Sequence, residues 1–109
     1  MKMDEVINTL ARVAHDVAVE KGWYERPRDV PELLMLVVSE LSECLEAARK
    51  GNPDSLKIPP HTAIEEELAD AVIRILDMAS HLKLDLGGAI LAKMRFNRTR
   101  ERRHGGKVY

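Results

Sequence analysis

Apolar residues recur at helical spacing in four segments of this chain, and no segment shows a strand alternation strong enough to place. That pattern restricts the fold to helix packed on helix, an all-α, four-helix bundle-like domain. The first helix is expected from about Asp4 to Lys21, with Val6, Ile7, Leu10, Val13, Ala14, Val17 and Ala18 on one side and Gly22 at its end. Trp23 to Val30 reads as a connector. Asp29 can cap a second helix, with Glu32 three residues on and Pro31 in the first turn. This helix continues to Arg49 with the stripe Leu34, Val37, Val38, Leu41, Leu45 and Ala48, and Lys50-Gly51-Asn52-Pro53 closes it. The loop Asn52 to His61 carries three of the five prolines. Thr62 and Glu65 then form a capping box for a third helix to about Leu82, burying Ile64, Leu68, Ala71, Val72, Ile75, Ala79 and Leu82. After Lys83-Leu84-Asp85, a fourth and increasingly basic helix is expected from about Leu86 to Arg103. His104 to Tyr109 reads as a flexible tail.

A length of 109 residues has room for one domain, residues 1–109, whose modest core a partner subunit would help to complete. No apolar run approaches the roughly 20 residues of a membrane span. Cys44 is the sole cysteine, and Met1 to Glu5 lack the apolar stretch of a secretion signal, so a reducing cytoplasm is expected. The net charge of -1 conceals an asymmetry: Lys93 to Lys107 hold seven Lys/Arg against one Glu, behind an acidic body. An acidic body with a basic end suits a metal ion beside a polyanion.

The acidic residues have a pattern of their own. Glu40 and Glu43 on the second helix and Glu67 and Asp70 on the third are pairs three positions apart, each beside an apolar stripe. If those helices pack antiparallel, four carboxylates converge, and their repulsion calls for a cation or protons. Oxygen ligands without paired His or Cys favour magnesium, with manganese possible, over zinc. Such pairs also decorate solvated helix faces, the reading given to Glu46, Glu65 and Glu66. On the fourth helix Lys93, Asn97, Arg100 and His104 recur at intervals of four, three and four, a face able to hold phosphates. Arg102 and Arg103 are assigned to helix-end compensation.

The ordered set of motifs resembles the MazG-like nucleotide pyrophosphohydrolases through most of the chain. It reads Gly22-Trp23-Tyr24-Glu25-Arg26-Pro27-Arg28, then Glu40-Leu41-Ser42-Glu43, then Glu67-Leu68-Ala69-Asp70, then Lys93 to Arg100. The resemblance implies a single MazG-like domain with Glu40, Glu43, Glu67 and Asp70 as magnesium ligands, and Lys93, Asn97 and Arg100 on the triphosphate. It further implies cleavage between the α and β phosphates of an NTP or dNTP, giving NMP and pyrophosphate, by a homodimer or homotetramer. Glu40 is taken as the general base because its position on the helix is the more apolar, with Glu43 as the other candidate. Arg74 is expected to orient the acidic cluster, and Asp77 to support it or to form a surface ion pair. Trp23 and Tyr24 are candidates for stacking on the base, or for covering the core or a subunit contact. His15, His61, His81 and Cys44 receive no catalytic role. Two alternatives remain: a related dUTPase or phosphoribosyl-ATP pyrophosphatase, and a non-enzymatic module binding nucleic acid or protein through the basic fourth helix. The acidic quartet speaks against the second.

Overall fold

The computed structural model describes residues 1–109 and contains α1 (Met3–Glu20), α2 (Val30–Arg49), α3 (Ala63–His81) and α4 (Leu86–Arg98). A four-residue helical turn at Arg103–Gly106 is interrupted by left-handed φ at His104 and Gly105. Each helix start after the first is capped from the sequence. Asp29 accepts from the Glu32 N–H at 2.9 Å, Thr62 and Glu65 cap reciprocally, and Asp85 accepts from the Gly88 N–H at 2.9 Å. Gly22 (φ 89°) and Gly51 (φ 81°) reverse the chain after α1 and α2 in the left-handed conformation, which a Cβ would disfavour.

Helix α3 is the central element, with α1 and α2 packed against it and α4 packed on α1. Both neighbours run antiparallel to α3. Ile64 N–H donates to Asn52 Oδ1 and Arg74 to Glu40 along α2, while His15 meets Asp77 and Asn8 meets Asp85 along α1. The close approaches are made by small side chains, and Ala11, Ala47, Ala71 and Ala79 are all buried beside Leu33 and Leu76.

Asn8 joins α4 to α1. Its amide donates to Asp85 Oδ1 and its Oδ1 accepts from the Gly87 N–H, both at 2.8 Å. Gly87 is buried, and a Cβ there would run into the Asp4 carbonyl oxygen. Gly87→Ala is therefore expected to lower stability by about 1–3 kcal/mol through enforced separation of α1 and α4, read as a drop in the urea midpoint.

Two expectations require correction. Helix α4 ends at Arg98 and not near Arg103, because Thr99 turns its hydroxyl back to the Phe96 carbonyl at 2.7 Å, an alternative to helix continuation. Arg100 and His104 consequently leave the helix face on which the spacing placed them. The stripes expected to be buried are also half open to solvent: Leu10, Val13 and Val17 on α1, Leu34, Val38, Leu41 and Leu45 on α2, and Leu68 and Val72 on α3. For Leu10, Val13, Val17 and Val72 the reason is topological, since α4 lies against α1 and leaves the trough between α1, α2 and α3, which they line, uncovered; the α2 stripe and Leu68 lie outside that trough. Only eight of the 109 residues are buried, and the radius of gyration of 16.2 Å exceeds the roughly 13 Å of a closed domain of this length. No helix is long and apolar enough to cross a membrane.

Candidate active site

The trough forms a cleft of about 950 Å³ whose walls include Leu10, Val13 and Val17 of α1 and Leu33, Leu36 and Glu40 of α2, with α3 as its floor. The antiparallel α2–α3 pair brings Glu40, Glu67 and Asp70 together, with one carboxylate oxygen from each lying within 4.8 Å of the others. Glu43 lines the same cleft, outside that group. Burial, then the negative charges of Asp70 and Glu40, pushes the Glu67 carboxyl up. Asp70 is also pushed up, first by burial and then by Glu40, with Lys57 and Arg74 acting in the opposite direction. Three half-buried carboxylates with no His or Cys among them make a donor set for a hard divalent cation.

Arg74, one turn beyond Asp70, donates from Nε to Glu40 Oε1 at 2.8 Å. Its guanidinium also lies 4.9 Å from the Trp23 ring centroid, and the Arg28 guanidinium lies 5.5 Å from the same centroid. Arg28 in turn donates from Nε to the Trp23 carbonyl at 2.6 Å and from a terminal nitrogen to Glu32 Oε2 at 3.3 Å, which ties the connector to α2. Trp23 is 40% exposed and edges the cleft. Tyr24 is more constrained. Its hydroxyl donates to Asp77 Oδ2 at 2.8 Å, and its ring stacks on His81 at a centroid distance of 4.2 Å. His15 Nδ1 completes the group by donating to Asp77 Oδ1 at 2.8 Å. Burial and the Asp77 carboxylate hold the Tyr24 hydroxyl well above the usual tyrosine range, so it remains a donor.

Lys93, Asn97 and Arg100 do not line the cleft. Lys93 Nζ and the Arg100 guanidinium lie 4.7 Å and 5.7 Å from the centroid of the Phe96 ring, and Asn97 Oδ1 is buried without a hydrogen-bond partner.

Among known proteins, the chain is similar to dCTP pyrophosphatase 1 of Homo sapiens, at 30% identity over 105 residues, covering 93% of this chain and 62% of the relative. It is 29% identical over 101 residues to the proteins of that name from Mus musculus and Bos taurus, covering 89% of this chain and 59% and 60% of theirs. The chain is an all-helical homologue of these pyrophosphatases. It spans about three fifths of the length of these curated relatives. No family model and no solved structure matches it.

Three of the four acidic positions read from the sequence, Glu40, Glu67 and Asp70, meet in one place together with the Arg74 contact to Glu40, while Glu43 stands outside the group. Other features escaped the pattern. Glu66, read as solvated decoration, has a side chain only 14% exposed and accepts from Ser55 Oγ. Lys57 enters the cleft wall from the proline-containing loop, where no periodicity exists to reveal it. Asp77, left between two readings, is a half-buried link between α1 and the Trp23–Val30 connector.

Proposed function

We propose that the chain is a magnesium-dependent nucleoside triphosphate pyrophosphohydrolase, cleaving between the α and β phosphates. The observation that carries this is the Glu40, Glu67 and Asp70 cluster, built from two helices at the floor of a cleft with an aromatic edge. The names of the homologues point to the same reaction class and put dCTP first among the substrates to try. Glu40, Glu67 and Asp70 would hold the magnesium, with Glu43 beside them. The ion supplies charge neutralisation on phosphate oxygens and a lowered pKa for an attacking water.

The chain's own groups do the rest. Glu40 is engaged by Arg74, so Glu43, in the cleft wall outside the triad, is the better placed to accept the water proton on a carboxylate oxygen. The Trp23 ring offers the base a flat apolar wall, and the Asp77-bound Tyr24 closes the inner end. The deciding test is pyrophosphate release from a panel of ribo- and deoxyribonucleoside triphosphates, with magnesium or chelator. Magnesium-dependent release of monophosphate and pyrophosphate is expected, and no release from any nucleotide would overturn the reading.

We also propose that the chain works as a homo-oligomer, because the exposed α2 stripe Leu34, Val38, Leu41 and Leu45 is an apolar surface outside the cleft that a second copy can bury. Leu41 is 49% exposed and does not line the cleft. Leu41→Asp is expected to weaken association at least about a hundredfold by placing an unpaired charge in the contact, measured by sedimentation equilibrium. Monomeric behaviour of the natural chain would defeat this.

A further inference from the structure

The α2–α3 loop fixes its backbone firmly and leaves one cation loose. Ser55 is 3% exposed. Its hydroxyl donates to Glu66 Oε1 and accepts from the N–H groups of Lys57 at 3.1 Å and Ile58 at 3.0 Å. Ser55 N–H donates to the His61 carbonyl and Ala63 N–H to the Pro53 carbonyl, both at 2.7 Å, closing the loop onto the start of α3. Lys57 thereby has a fixed backbone, but its side chain is 83% exposed. Its one ion pair is with Glu66 Oε2, at 3.9 Å, too long for a hydrogen bond. The same side chain lines the cleft with Glu67 and Asp70.

The order of groups along the cleft follows from α3. From Glu67 to Arg74 the helix rises about 10 Å, with Asp70 between them. Trp23 packs at the Arg74 end, whereas Lys57 stands at the Glu66–Glu67 end. Arg74 is committed to Glu40, and Arg28 to Glu32 and the Trp23 carbonyl. A nucleotide lying with its base at Trp23 and its α-phosphate at the carboxylates extends its terminal phosphates toward Lys57, the cleft cation that stands at the Glu66–Glu67 end.

We propose that Lys57 binds the terminal phosphates of the substrate and receives the departing pyrophosphate, with Ser55 and Glu66 as positioning residues; this rests on the hydrolase reading above. The water oxygen bonds to the α-phosphorus, and the bond from that phosphorus to the bridging oxygen breaks. The electron pair stays on the pyrophosphate oxygen, to which the Lys57 ammonium donates a hydrogen bond, and the water proton goes to Glu43.

The test compares the natural chain with Lys57→Met and Lys57→Arg, by steady-state kinetics and by calorimetric titration with pyrophosphate in the presence of magnesium. Lys57→Met is expected to weaken pyrophosphate binding and raise KM for the triphosphate, each by about ten- to a hundredfold. Lys57→Arg should restore most of both, and the melting temperature should stay unchanged because Lys57 is exposed and its 3.9 Å ion pair is weak, while Glu66 keeps its contact to Ser55. An active natural enzyme whose KM and pyrophosphate affinity are the same with Met at this position overturns the assignment and leaves the hydrolase reading intact. A natural chain that hydrolyses nothing yet binds pyrophosphate through Lys57 overturns the reading and supports the assignment. A natural chain that does not bind pyrophosphate overturns the assignment.

Discussion

Asp70→Asn and Glu67→Gln are each expected to reduce kcat for pyrophosphate release at least about a hundredfold, the scale seen when a preorganised electrostatic contact to the reacting group is removed. The same substitutions should make the chelated protein more stable near neutral pH. The physical reason is that the three carboxylates repel one another across less than 5 Å, and removing one charge relieves the other two. Opposite signs for activity and stability distinguish loss of a site from loss of a fold. Glu46→Gln provides the comparison: Glu46 lies on α2 three residues beyond Glu43 but pairs only with Arg49 and Lys50 at the surface. It is expected to change neither quantity measurably. Loss of activity in Glu46→Gln equal to that in Asp70→Asn would mean that general acidity of the surface, and not the cluster, supports the reaction.

The helix starts and the acidic motif were legible because each depends on residues close together in the chain. The Asp29 cap, the Thr62–Glu65 box, and the Glu40 and Glu67–Asp70 positions all follow from spacings of three or four. What stayed hidden depends on contacts between distant segments. Whether Leu10 or Val13 is covered depends on where α4 lies, and α4 is held on α1 by Asn8, Asp85 and Gly87, a junction that periodicity does not encode. The end of α4 turns on one Thr99 hydroxyl, which a run of basic helix formers masks. Lys57 was invisible for a third reason: its placement follows from the Ser55–Glu66 contact in a loop, where the sequence has no period to read. The local rules thus recovered the acidic part of the cleft, while the place of Lys57 in its wall needed the tertiary arrangement.

Adding magnesium to the chelated protein is expected to raise its melting temperature near neutral pH and to have much less effect in mild acid. Glu67 and Asp70 have carboxyls raised above their unfolded values, so the folded state binds protons more tightly than the unfolded chain does. Their contribution to stability is full below the unfolded carboxyl pKa. It is lost as pH rises through the folded value, above which the ionised cluster opposes folding. A divalent ion replaces the missing protons in that upper range and competes with them in the lower one. At an ion concentration a hundred times Kd the stabilisation is about 2.7 kcal/mol, a rise on the order of 10 °C in Tm for a domain of this size. Calorimetric melts at the two pH values, with magnesium or chelator, measure the difference. In Asp70→Asn the magnesium-dependent rise should shrink at neutral pH, because one oxygen ligand and one repelling charge are removed together. A rise of equal size at both pH values would place the ion on other groups, since only the Glu40, Glu67 and Asp70 cluster ties binding to this proton competition.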